Sequence, residues 1–392
     1  MKIIPLKRSL RRLKLLSRDL IEEWHLQFFP THWYKKKVQT YSSQPPFSGI
    51  PKKPLLTLET TDICNINCVM CDTASATRTK GFMSMEDFVS NLDRLEAAGQ
   101  RIVAFHTIGD PLVDKQVGLK LQLCYERDIQ VMLRTNGLLL HKFLEPLVKY
   151  PPAYLLFSID GATKETYEKI RVGGKFDRLV KNIDEIFRLY KKKHILSAFG
   201  VNFAVMDENM DEIPLFYQKF HPYFKLHNMH FELLNSLSGD RGKFFGSNNT
   251  LSQLSKWVPP CNMPFNSIYI LHDQKIAVCC RDYHGELVVG NLKEESLDQI
   301  WNGEKINELR KAHINARNRP DALPKACREC YVPAEEFTRK FDLYVHFLLQ
   351  RNIRKYGRHH LPITKISDHI LNFLAAASKN RVNRLPDPQM IL

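Results

Sequence analysis

Eight of the nine cysteines in this 392-residue sequence fall into two groups. Cys64-Asn-Ile-Asn-Cys68-Val-Met-Cys71 places three of them within eight residues. Three thiolates at this spacing suit an iron–sulfur cubane, which takes one thiolate per iron and keeps its fourth iron open to another ligand. A structural zinc site wants a fourth protein ligand at finger spacing, and no further Cys or His follows within thirty residues. The second group is Cys261, Cys279, Cys280, Cys327 and Cys330. Cys327-x2-Cys330, with Cys261 and one of the adjacent pair, supplies four thiolates, enough to saturate a [4Fe–4S] cluster or to hold a zinc ion. Such tight clustering in a reducing compartment favours metal ligation over disulfides. The remaining Cys124 sits among Leu119, Leu121 and Leu123 on a helical segment and reads as a small core residue.

Loops that hold clusters need rigid elements to carry them. Residues 54–60, 101–106, 129–134, 153–159, 197–205 and 229–233 are short, apolar and rich in β-branched side chains, and they read as strands. Between them, 84–98, 115–127, 141–148, 176–190 and 209–220 have helical periodicity. This alternation is the pattern of parallel βαβ units, so the expected fold class is α/β, with a parallel sheet or a partial barrel. Its chemistry belongs at the carboxyl ends of the strands. Around 234–260 the composition turns to Ser, Asn, Gly and Lys, a linker. A hairpin over 267–280, helices near 297–301 and 304–316, and the closing Cys pair follow.

The CxxxCxxC loop after the first strand resembles the signature of the radical S-adenosylmethionine (SAM) superfamily, and further motifs follow at successive strand ends. Ile108-Gly109-Asp110-Pro111 resembles the family's GGEP segment, with Ile108 replacing a Gly and Asp110 the Glu; the resemblance implies that Gly109 and Asp110 bind the methionine amine. Thr135-Asn136-Gly137 resembles the TNG turn, and Ser158-Ile159-Asp160-Gly161 the SxDG segment near the ribose. Arg171 stands where the family places a carboxylate-binding Arg, and residues 201–206 resemble the strand that flanks the adenine. The likeness spans 54 to about 233. From Cys261 to Cys330 the chain resembles the auxiliary-cluster (SPASM/twitch) domain, in the variants with one auxiliary cluster. In that pattern the second ligand follows a Gly by five positions; Gln274 occupies the Gly position, which selects Cys279 and leaves Cys280 a neighbouring thiol.

The implied metal ligands are therefore Cys64, Cys68 and Cys71 for a reducing [4Fe–4S] cluster, and Cys261, Cys279, Cys327 and Cys330 for a second [4Fe–4S] cluster. The implied SAM contacts are Gly109, Asp110, Asn136, Ser158, Asp160 and Arg171. An open iron chelates an amine and a carboxylate, and an electron passed to the sulfonium cleaves a C–S bond, giving a radical that abstracts hydrogen; the cofactor does this chemistry and the protein orients it. His106, His230, His272 and His284 are candidate acids or bases near the site.

The net charge of +15 is uneven. Residues 1–37 hold ten Lys/Arg against three Asp/Glu, residues 334–392 ten against five, and the long middle 37 against 34. The first extension spaces Leu6, Leu10, Leu13, Leu16 and Leu20 by three and four between basic residues, a basic amphipathic helix fit to pack on its own domain or lie on an anionic membrane surface. No recognised nucleic-acid module appears, so nucleic acid is excluded as a partner. No signal peptide or membrane span is present, so the expected location is cytoplasmic, peripheral at the inner membrane surface if the basic ends bind there.

The expected organisation, an α/β fold in which the resemblance implies a partial (β/α)6 TIM-like barrel, is a basic N-terminal extension (1–53), the radical SAM partial barrel (54–233), a linker (234–260), an auxiliary-cluster domain (261–333) and a basic helical C-terminal extension (334–392). The expected activity is hydrogen abstraction from a carbohydrate-like or cell-envelope small molecule. Oxidation or epimerisation follows, with the auxiliary cluster as electron acceptor and a flavodoxin- or ferredoxin-like protein as donor. Residues 1–50 lack a β-rich leader-binding pattern, which places peptide modification second. A non-catalytic zinc-binding adaptor is the reading from another class.

Overall fold

A computed structural model of the protein describes residues 55–233, 261, 263–280, 282–316 and 319–328, with scattered positions between 342 and 355. The expected N-terminal extension, the linker, Cys330 and most of the C-terminal extension lie outside the described residues.

The barrel half follows the sequence pattern. Strand β1 (Leu55–Leu58) leads through the cysteine loop, which contains the two-residue β2 (Asn67–Cys68), to helix α1 (Met85–Ala97). Next come β3 (Ile102–Phe105), α2 (Val117–Glu126), β4 (Gln130–Thr135), α3 (Leu144–Lys149) and β5 (Tyr154–Ser158). Then follow α4 (Lys164–Ile170), the short β6 (Arg171–Val172), α5 (Phe176–Lys192), β7 (Ala198–Val205), α6 (Ile213–Phe220) and β8 (Met229–Leu233). The helices form because their apolar residues repeat at three and four: α5 buries Phe176, Leu179, Ile183, Ile186 and Tyr190 against the sheet. Local signals set their ends, as where Ser84 caps α1 by accepting from the Asp87 N–H at 3.0 Å.

Six strands of the barrel half, β1, β3, β4, β5, β7 and β8, pair in parallel in that order. The smaller segment contributes α7 (Met263–Asn266), β9 (Ser267–Ile270), β10 (Lys275–Ala277), β11 (Val288–Asn291), α8 (Leu297–Asn302), α9 (Glu304–Ile314) and α10 (Lys325–Arg328). Strand β9 pairs in parallel with β1, from Leu55↔Ser267 to Leu58↔Ile270. The sheet thus runs unbroken through both halves, in the order β11-β10-β9-β1-β3-β4-β5-β7-β8. At its far edge, Asp342 accepts from the Phe231 N–H at 2.8 Å and His346 lies 2.7 Å from the Met229 carbonyl, so these two residues sit on the open side of β8.

Alternation along the strands separates two faces. Phe105, Leu133 and Leu155 are fully buried beneath the helices, with Phe105 edge-on to Phe88 of α1. Their neighbours Met132, Arg134, Leu156 and Ser158 point to the inner face, which is open enough to leave Met132 40% exposed in a central strand. No helix among the described residues is long and apolar enough to cross a membrane.

Candidate active site

The three-cysteine loop is held at both ends. Its β2 pairs antiparallel with β6, Cys68 opposite Arg171, and the Val69 N–H donates to the Ile170 carbonyl at 2.9 Å. At the other end, the Asp110 N–H donates to the Ile63 carbonyl at 3.0 Å. Gly109 makes that approach possible: its φ is +83°, and a Cβ there would sit 2.7 Å from the Asp62 carbonyl carbon. The loop that follows β3 is therefore seated directly on the residues that lead into Cys64.

The motif residues converge at the carboxyl ends of the strands. Asp110 is buried, and its carboxylate accepts from the Leu112 N–H at 2.9 Å, the Asn136 N–H at 2.7 Å and the Thr135 hydroxyl at 3.0 Å. It thereby positions the Thr135-Asn136 turn, and burial raises its pKa against those bonds. The Asn136 amide in turn reaches the Asn65 side chain at 2.9 Å and the Cys64 Sγ at 3.9 Å. Asp160 accepts from the Ala204 N–H at 2.7 Å and pairs with Arg171, whose Nη2 is 2.6 Å from its Oδ2. Arg171 also reaches Cys68 Sγ at 3.7 Å. Ser158 accepts from the Arg134 Nε at 3.3 Å on the inner face.

This environment fits an iron–sulfur cluster. Burial pushes the Cys64 thiol up to about 11, with the Asp110 charge adding to the rise, and the Cys68 thiol up to about 12 despite Arg171. Thiols so placed become thiolates when cationic iron binds. No three His, Cys, Asp or Glu among the described residues converge tightly enough for a single metal ion. A cubane, with one thiolate per iron, has no such requirement.

Sequence reasoning overlooked several residues that set this geometry. Glu212 accepts from the Ala162 N–H at 2.6 Å and from the Thr163 and Thr166 hydroxyls at 2.7 and 2.6 Å. It thus anchors the start of α4, the helix that ends at Arg171. Below the cysteine loop, the fully buried Glu59 takes a two-pronged bond from Arg78 (2.9 and 2.8 Å) and bonds with Thr107 and His272. Of the histidines that the sequence offers as acids or bases, His284 pairs with Thr77 at 3.1 Å and His230 with Tyr154 at 3.3 Å. A short polar segment around 280–285 carried no signal for the contact it makes: the Tyr283 hydroxyl lies 3.8 Å from Cys71 Sγ.

Of the second cysteine group, Cys261, Cys279, Cys280 and Cys327 are described, each half-buried. Cys279 and Cys327 pack against the main core, whereas Cys280 packs on the small cluster of Tyr269, Leu271 and Ala277. Burial, and then the neighbouring Cys280, Cys279 and Cys261, raise the pKa of Tyr269. The Cys261 N–H donates to His313 at 3.4 Å.

Comparison with known proteins agrees with this geometry. Residues 58–219 match the radical SAM superfamily and residues 261–331 an iron–sulfur cluster-binding domain. The chain is 30% identical over 162 residues to an AdoMet-dependent heme synthase of Methanosarcina barkeri, covering 41% of this chain and 44% of that one. It is 29% identical over 171 residues to a GTP 3′,8-cyclase of Desulforamulus reducens, covering 41% and 52%. The matched stretch thus spans about half the length of these relatives. Among solved structures, Streptococcus suis SuiB bound to precursor peptide SuiA superposes with a TM-score of 0.52 at 14% identity, over 71% of this chain and 70% of that one. AdoMet-bound anSMEcpe superposes with a TM-score of 0.52 at 16% identity, over 84% and 99%. With a radical SAM domain over residues 58–219 and an iron–sulfur cluster-binding domain over residues 261–331, the chain belongs to the radical SAM superfamily, in the branch that carries a SPASM-type iron–sulfur domain.

Proposed function

We propose that this radical SAM enzyme is an oxidoreductase that takes a hydrogen atom from a carbohydrate-like or cell-envelope small molecule, with oxidation or epimerisation as the outcome. One observation carries the redox part. The segment bearing the second cysteine group is built onto the barrel sheet beside β1, and its Tyr283 reaches Cys71. When bound, the reduced cluster and SAM supply the 5′-deoxyadenosyl radical. Cys64, Cys68 and Cys71 hold the reducing cluster. Gly109, Asp110, Asn136, Ser158, Asp160 and Arg171 orient SAM, and Asp110 also positions the Thr135-Asn136 turn. Cys261, Cys279, Cys327 and Cys330 saturate one auxiliary cluster, which then has no iron free for substrate and serves as electron acceptor. A flavodoxin- or ferredoxin-like protein supplies the electron.

Peptide modification is the second reading, favoured by the fold shared with peptide-bound SuiB. A perdeuterated cell extract, fractionated into small molecules and peptides, separates the two. Deuterium passing into 5′-deoxyadenosine from the small-molecule fraction supports the first reading; deuterium from peptides alone reverses the order. Cys68→Ala should abolish deoxyadenosine formation, whereas Cys327→Ala should spare it and lose the oxidised product. Product persisting in Cys327→Ala rejects the electron-acceptor role.

A further inference from the structure

The inner face of the sheet carries a cation, Arg134, that is not itself one of the cofactor contacts proposed above. Arg134 is the second-to-last residue of β4 and pairs in register with Leu156 of β5, which pairs with Gly200 of β7. Leu133 beside it is fully buried under the helices, so Arg134 points the other way, into the hollow. Its Nε donates to the Ser158 hydroxyl at 3.3 Å, and no carboxylate pairs with its guanidinium among the described residues. The two acids closest in the motifs are committed elsewhere, Asp160 to Arg171 and Ala204, and Asp110 to Thr135, Asn136 and Leu112. His106 follows Phe105, whose partner is Leu133, and so stands beside Arg134. Burial, with the Arg134 charge adding, lowers its pKa to about 3, so His106 is a neutral donor or acceptor.

The neighbouring strands extend this polar wall. Tyr154 lies across Gly200, where a Cβ would stand 1.9 Å from its hydroxyl, and so reaches His230 on β8 at 3.3 Å. A half-buried guanidinium with no counter-ion among the described residues, beside a neutral imidazole, is arranged to receive a charge-assisted hydrogen bond acceptor.

Resting on the radical SAM reading above, we propose that Arg134, with His106 beside it, binds an anionic group of the substrate, a phosphate or a carboxylate. The substrate is then an acid or phosphorylated compound, and its charge holds the reacting carbon on the inner face.

The test uses the reconstituted, SAM-loaded enzyme, titrated by NMR with inorganic phosphate, acetate and neutral acetamide. Expected is at least about tenfold tighter binding of one anion than of acetamide; whether phosphate or acetate leads identifies the group. Arg134→Gln should lose this preference and Arg134→Lys should retain part of it. Both should keep dithionite-driven 5′-deoxyadenosine formation within about twofold of the parent. No anion preference in the parent overturns the proposal, as does an undiminished preference in Arg134→Gln. Loss of deoxyadenosine formation in the folded Gln variant also overturns it, because Arg134 then serves the cofactor. Absence of deoxyadenosine from the parent itself rejects the enzymatic reading instead, independently of the titration.

Discussion

Arg171 is held between a carboxylate and a thiol: its Nη2 is 2.6 Å from Asp160 Oδ2 and its Nη1 is 3.7 Å from Cys68 Sγ. The pair with Asp160 is almost wholly buried, and that charge keeps Arg171 protonated against the opposing effect of burial. One residue thus links the fourth loop of the barrel to the cluster loop. Removing one partner of such a buried pair costs about 3 kcal/mol or more, because the other charge is left uncompensated. Arg171→Met should therefore destabilise the apo protein by about that amount in urea unfolding, and the SAM-bound holoenzyme should lose SAM affinity in equilibrium dialysis. A variant of parental stability with parental SAM binding would show that the pair is idle.

Gly109→Ala tests the seating of the cluster loop. At φ +83° with backbone atoms 2.7–2.9 Å from a Cβ, the substitution cannot be absorbed by a side-chain movement. The residues before Cys64 must shift. Iron and sulfide bound after anaerobic reconstitution should fall to less than about half of the parental content, while the circular dichroism of the sheet and helices stays unchanged.

Glu59 makes a prediction about acid stability. Burial alone would raise its pKa, but the bonds from His272, Arg78 and Thr107 outweigh it and lower it from 4.5 to about 2. A carboxylate depressed on folding contributes stability that is complete above the unfolded value. That stability is lost as pH falls from about 4.5 towards 2. The contribution is about 3 kcal/mol at neutral pH. Urea midpoints measured between pH 6 and pH 3 should fall more steeply for the parent than for Glu59→Gln, the two curves converging at the acid end. Parallel curves would contradict the assignment.

The barrel was legible because its period is local. Six strands and five helices follow from apolar spacing, and the motif residues sit where strand ends require them. Helix α4 was missed: its seven residues are too few for a periodic signal, and its anchor, Glu212, lies 46 residues or more along the chain from the groups it binds. The pairing of β9 with β1 was also invisible, since nothing near Ser267 encodes a register with Leu55. Buried ion pairs defeated sequence reasoning for a different reason. Lys120, fully buried and 2.6 Å from Asp114, looks in sequence like any solvated helix lysine.

The basic extension at residues 1–37, with ten Lys/Arg against three Asp/Glu, is suited to an acidic electron donor by charge complementarity. Deleting it should lower flavodoxin-driven turnover and flatten its dependence on ionic strength, while leaving dithionite-driven turnover unchanged. Unaltered salt dependence in steady-state assays would remove this role.

The most direct measurement is anaerobic purification with iron, sulfide and zinc analysis, followed by a dithionite assay for 5′-deoxyadenosine from SAM. Two cubanes give a brown protein with about eight irons per chain and deoxyadenosine formation. A colourless, zinc-containing protein that leaves SAM intact would contradict the account.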